Sequence, residues 1–239
     1  MFAIYKKELK TFFNTIEGYL AIMVFFIIST LIIWFIPSEY NIIYNNQASL
    51  LPFFSISKWV LLFLIPTITM KMISIERLQK TTIILFTKPL KTWEIIFAKF
   101  LASCSIGLLS ILPSLIFVYS IYHLSEPIGN IDKGELIGSY IGLSCLICVY
   151  SAIGIFSSSL TKNTMISFIT TIIVILFLLF GIDYIRIIYD NSMFQKFSMM
   201  YHYESISRGV LDSRNLIYFI SLTTCFIIIT TLQIRQNKG

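Results

Sequence analysis

Apolar residues dominate this chain in long uninterrupted runs, and short polar stretches set the runs apart. Counting uncharged runs predicts six membrane spans, at 18–36, 57–75, 100–122, 136–160, 163–182 and 215–234. Each approaches or exceeds the roughly 20 mostly apolar residues that a helix needs to cross a bilayer. The second is the weakest by composition, because Lys58 and Lys71 lie near its ends, where their stems can reach the headgroups. Trp34, Trp59 and Trp93 fall at or near run ends, where amphipathic rings favour the interface. Pro66 and Pro113 sit inside the second and third runs and predict kinks, since each removes a backbone donor.

The residues ahead of the first run follow a helical period. Phe2, Tyr5, Leu9, Phe12, Phe13 and Ile16 share about 100° of a helix, with Lys6, Lys7, Lys10, Thr11 and Asn14 on the other side. Residues 1–16 therefore read as an interfacial amphipathic helix, its apolar face among acyl chains and its cations toward membrane lipid. A plain orienting flank is the alternative. A second amphipathic segment joins the second and third runs. Ile75, Leu78, Thr82, Leu85 and Phe86 recur at helical spacing, so 75–87 predicts a short helix. Lys88-Pro89 ends it, because the residue before proline avoids the α region. Thr92 is placed to cap the next helix. Such a loop could pass a push from a bound partner to two spans at once; an inert juxtamembrane helix has the same periodicity.

Composition makes this a membrane protein throughout. Of 239 residues, 56% are hydrophobic and 13% charged, about half the charge of a soluble domain. Residues 1–239 read as a single all-α polytopic membrane domain, with no room for a soluble catalytic domain. The net charge of +6 sits beside the apolar runs, which indicates orientation in the bilayer rather than nucleic acid binding. With both termini cytoplasmic, the inner segments hold twelve basic residues: Lys6, Lys7, Lys10, Lys71, Arg77, Lys80, Lys88, Lys91, Lys99, Lys162, Arg235 and Lys238. The outer segments hold six: Lys58, Lys133, Arg186, Lys196, Arg208 and Arg214. That bias supports both ends inside. No small-residue cleavage site follows the first run, so a cleavable leader is not expected.

Candidate chemistry is sparse. None of the ten glycines belongs to a GxxxxGK[ST] phosphate cradle, which excludes ATP hydrolysis by that route. His123 and His202 lie outside the mid-membrane zone and no carboxylate is central in any run, which argues against a proton relay or an intramembrane metal site. Cys104, Cys145, Cys148 and Cys225 all fall in apolar runs, so no disulfide framework is expected. Cys145 and Cys148 spell CxxC without the second pair of a zinc site. Ser103, Ser105, Ser110 and Ser114 offer only weak hydroxyls to an internal path. Gly134, Gly138 and Gly142 form a small-residue stripe that lets helices approach closely, either within the chain or at a dimer seam. Residues 184–213 carry Tyr189, Phe194, Phe197, Met199, Met200 and Tyr201. They read as an outer segment resting on the leaflet, with a lid over an exit path as the alternative.

Glu76-Arg77, Thr81, Leu85-Phe86-Thr87-Lys88-Pro89, Trp93-Glu94-Ile95 and Lys99 together resemble the permease signature of type-2 ATP-binding-cassette (ABC) exporters. The chain departs from it at Lys80, Ile83 and Ala98. Ser159-Leu160-Thr161-Lys162-Asn163 resembles that family's second cytoplasmic turn. Phe2-Ala3-Ile4, Lys7-Glu8, Phe12-Phe13, Pro52-Phe53-Phe54 and the stretch from His202 to Asp212 are similar to the gliding-motility permease subunit of Bacteroidetes. The resemblance implies a bacterial inner-membrane permease with no cofactor or catalytic site of its own. ATP would be bound by a partner ABC ATPase subunit docked on residues 75–92, and a second permease subunit would complete the path. Glu76, Arg77, Leu85, Thr87, Lys88 and Pro89 are the implied coupling residues, with lipid headgroup pairing as the alternative for the charged ones. A self-contained secondary transporter and a structural anchor for a motility complex are the rival readings.

Overall fold

The computed structural model describes residues 1–44, 49–79, 91–189, 196–210 and 212–236. The described residues are helical and turn structure without strands. Six helices are long and apolar enough to cross a membrane: Gly18–Phe35, Leu51–Leu78, Thr92–Leu124, Lys133–Leu160, Thr164–Tyr184 and Ser213–Gln236. They are the first to sixth spans below. The second span starts earlier than composition predicts, at Leu51, so Trp59 lies well inside it and stacks on Phe180 of the fifth span at 5.1 Å between ring centroids.

Burial separates a centre from a periphery. In the most apolar stretch of the second and of the fourth span 61% of residues are buried within the protein, against 22% in the first and fifth and 17% in the sixth. Lys58, which weakened the second run, turns toward the helix Met199–Ser207, its Nζ 3.5 Å from Met200 Sδ and 5.9 Å from the centre of the Tyr203 ring. Phe53, Leu61, Ile65, Leu146, Ile147 and Tyr150 are fully enclosed. The third span is bent where the pattern predicts: its α-helix stops at Ile111, a 3-10 turn covers Leu112–Ser114 around Pro113, and the helix resumes at Leu115. At Pro66 the helix continues and ends three residues later at Thr69. The third span begins at Thr92, and the residue at its cap is Lys91, whose amide donates to Glu94 Oε2 at 3.1 Å. That bond is the glutamate half of a capping box, and it puts the cap one residue before the predicted Thr92.

The far end is tightly built. A short helix, Met199–Ser207, packs against the fourth, fifth and sixth spans, with Met199 and Ile206 fully buried. Tyr203 Oη donates to the carbonyl of Phe54 at 3.0 Å, and burial lifts its phenol well above the ordinary tyrosine value. His202 contacts Asn215 Oδ1 at 2.7 Å and the Lys196 carbonyl at 2.8 Å. The helix Met199–Ser207 of the outer segment is packed into the bundle, where Tyr203 and Ile206 meet the glycine stripe, whereas Tyr184, Ile188, Phe197 and Val210 of the same segment are exposed. A Cβ on Gly138 would lie 2.4 Å from the Ile206 carbonyl oxygen, and one on Gly142 would lie 3.2 Å from the Tyr203 ring. Gly209 bonds back to Ile206 with φ +82° and rests on the backbone of Gly134. Tyr189 and Phe194, also in this segment by sequence, lie outside the described side chains.

Candidate functional site

At the opposite end, the first helix, Phe2–Phe13, meets the break in the second span and the start of the third. It is held by apolar contact of Ile4 with Ile95 and Ala98, and by Tyr5 Oη to Ser105 Oγ at 3.0 Å. Its burial is not purely apolar. Glu8, one turn from Ile4, is 9% exposed.

The reason lies in the third span. Lys99 is seven residues into an apolar helix and 1% exposed. An unpaired lysine at such a position is costly, so it must be matched. Its Nζ lies 2.8 Å from Glu8 Oε1, 2.9 Å from Glu76 Oε1 and 2.7 Å from the Met72 carbonyl. The Met72 carbonyl is available because the helix Leu51–Thr69 has ended, and carbonyls past a helix end lack intrahelical partners and favour a cation. Lys7 completes the set at 3.1 Å from Glu76 and 3.8 Å from Glu8. Burial pulls the Lys7 ammonium down, but the charge and hydrogen bond of Glu76, together with Glu8, outweigh it and leave Lys7 above the ordinary value. Among the described residues, Lys7, Lys99, Glu8 and Glu76 thus form an ionic node joining the first helix, the short elbow helix Ser74–Leu78 and the third span.

Of the coupling residues implied by resemblance, Glu76 and Arg77 are described, and both turn inward. Glu76 enters the node, and Arg77 Nη1 donates to the Ser159 carbonyl at the end of the fourth span. Leu85, Thr87, Lys88 and Pro89 lie outside the described residues. Leu78, at the tip of the elbow, is 64% exposed. Lys99 therefore leaves the basic surface to which composition assigned it. The pairing of Glu8 with Lys99 crosses 91 residues and no local period announces it. The available signals were a lysine within an apolar run and a glutamate one turn from Ile4.

The hydroxyls considered for an internal path are occupied locally. Ser103 and Ser110 donate to their own helix at Phe100 and Ile106, and Ser114 pairs with Tyr140 Oη at 2.8 Å. Cys104 and Cys148 approach to 3.9 Å between the third and fourth spans as free thiols. No group of three or more metal-ligating side chains occurs among the described residues.

No curated protein matches the chain. The sequence pattern that defines ABC-2 family transporter proteins matches residues 2–226, from the first helix through most of the sixth span. That match and the six apolar helices place the chain in the ABC-2 family of transporter proteins, as a multi-pass membrane permease of an ABC transporter.

Proposed function

We propose that this permease is an exporter subunit driven by a separate ABC ATPase, which docks on residues 75–92. The observation that carries this reading is the buried ionic node. It ties the elbow to the first helix and to the third span within about 3 Å. Movement of the elbow is then transmitted rather than absorbed, because separating Glu76 or Glu8 from Lys99 leaves the buried ammonium short of a counter-charge. Exposed Leu78 offers a contact, Glu76 and Arg77 carry the motion inward, and Leu85, Thr87, Lys88 and Pro89 are further contacts implied by the permease signature. In this reading both termini are cytoplasmic in a bacterial inner membrane, and two permease subunits form the path between them. The segmental likeness to the gliding-motility permease supports a role in surface gliding or envelope export.

Purification in mild detergent tests the docking. The wild-type chain should bring down an ABC ATPase, and Leu85→Asp with Lys88→Glu should reduce that recovery at least about tenfold while membrane insertion stays normal. Equal recovery with the double variant would refute the docking loop. Labelling of a cysteine at Lys162 by an impermeant reagent in intact cells would refute the orientation.

A further inference from the structure

The second span is interrupted between Thr69 and Ser74. A helix start leaves its first amide protons without intrahelical acceptors, and no side chain of the elbow caps its own N-terminus. The acceptor comes from another span. The amides of Ile73 and Ser74 donate to Ser158 Oγ at 3.1 and 3.0 Å, and the same hydroxyl donates to the Met70 carbonyl at 3.2 Å. Ser158 is 0% exposed, so water cannot substitute for it. One residue on, the Ser159 carbonyl accepts from Arg77 Nη1 of the elbow. One turn back, the fourth span lies against the end of the broken helix so closely that a Cβ on Gly154 would sit 2.0 Å from Thr69 Oγ1. Ser158 thus supplies the hydrogen bonds the backbone loses at the break, while Gly154 and Arg77 hold the two helices together on either side.

We infer that Ser158 is a positioning residue that clamps the break in the second span to the end of the fourth, making the fourth span a receiver of elbow movement alongside the third. The fourth span also carries Gly138 and Gly142 against the far-end helix Met199–Ser207, so this connection reaches both ends of the bundle. The consequence for transport rests on the coupling role proposed above; the clamp does not.

The test uses the full chain in nanodiscs with Ser158→Ala and Ser158→Thr. Hydrogen exchange is followed over residues 70–78. Spin labels at Gln79→Cys and Lys162→Cys, in a chain whose native cysteines are replaced, report the distance between elbow and fourth span. Ser158→Ala should raise exchange at Ile73 and Ser74 about tenfold, the loss of roughly one buried hydrogen bond, and broaden the distance distribution. Ser158→Thr, which keeps the hydroxyl, should do neither. In complex with the ATPase, Ser158→Ala should retain the partner, yet trapping with ADP and vanadate should no longer leave the labelled pair at a fixed separation. Exchange and distances unchanged in Ser158→Ala, or a Ser158→Thr variant that behaves like it, overturn the clamp. A wild-type chain that recovers no ATPase overturns the coupling reading instead, and the exchange measurement still judges the clamp.

Discussion

Replacing Lys99 with methionine isolates the node. The side chain keeps its apolar stem and loses the charge that lies 2.8 Å from Glu8 and 2.9 Å from Glu76, together with the hydrogen bond to the Met72 carbonyl. Removing one member of a buried ion pair costs about 3–5 kcal/mol. The lower end applies here. The Glu8 and Glu76 side chains retain 10% and 15% exposure, and Lys7 stays 3.1 Å from Glu76 as partial compensation. About 3 kcal/mol is roughly a hundredfold in an equilibrium constant. The element loosened is the first helix, which keeps Ile4 against Ile95 and Ala98, the Tyr5–Ser105 hydrogen bond, the packing of Leu9 and Phe12 on the core and the Lys7–Glu76 pair. Hydrogen exchange over residues 2–13 in nanodiscs should therefore accelerate roughly a hundredfold in Lys99→Met. Adding Glu8→Gln and Glu76→Gln removes the stranded charges, and exchange in the triple variant should return to within about tenfold of wild type. If the single variant exchanges like wild type, or the triple variant exchanges like the single, the node is not what docks this helix.

Gly138→Ala should lower thermal stability by about 1–3 kcal/mol, because the new Cβ would meet backbone, the Ile206 carbonyl oxygen at 2.4 Å and Gly209 Cα at 2.9 Å. Gly134→Ala, which meets only Asp132 Oδ1 at 3.2 Å, should shift the unfolding midpoint far less, and equal shifts would contradict the stripe. Lys7 makes docking of the first helix pH-dependent. Its folded pKa is raised, so its contribution is complete below the ordinary lysine value near 10.4 and is lost as pH rises through the folded value. A label on the first helix should report weakened docking on that alkaline limb, and Lys7→Gln should lack the step. A step that persists in Lys7→Gln would assign it to another group.

Much of the architecture was legible along the chain, for local reasons. A run of about twenty apolar residues has one stable placement in water and lipid, so all six spans appear by counting. The Pro113 bend follows from one missing amide. The amphipathic first helix follows from its period, and only the packed bundle shows that Tyr5, Leu9 and Phe12 of that apolar face rest on the core while Phe2 stays exposed, and that Ile4 and Glu8, outside that face, meet the third span. The placement of Met199–Ser207 inside the bundle escaped the same reading. Its mixture of methionine, tyrosine and histidine suits an interface as well as a helix junction, and only the glycine stripe opposite distinguishes them.

Taken alone, the order of residues determined that this is a helical membrane chain with six spans, that it carries no phosphate cradle, and that basic residues gather around one elbow. Tertiary structure decided which charges are free and which are consumed. Lys99, Glu8 and Glu76 are far apart along the chain, and whether a lysine faces a headgroup or a carboxylate depends on which helices meet. The same holds for Ser158, whose value comes from a gap in another helix. Burial in an apolar surround depends on one residue and its neighbours, so it can be read locally; compensating a buried charge or amide needs a partner whose position only the packed bundle sets.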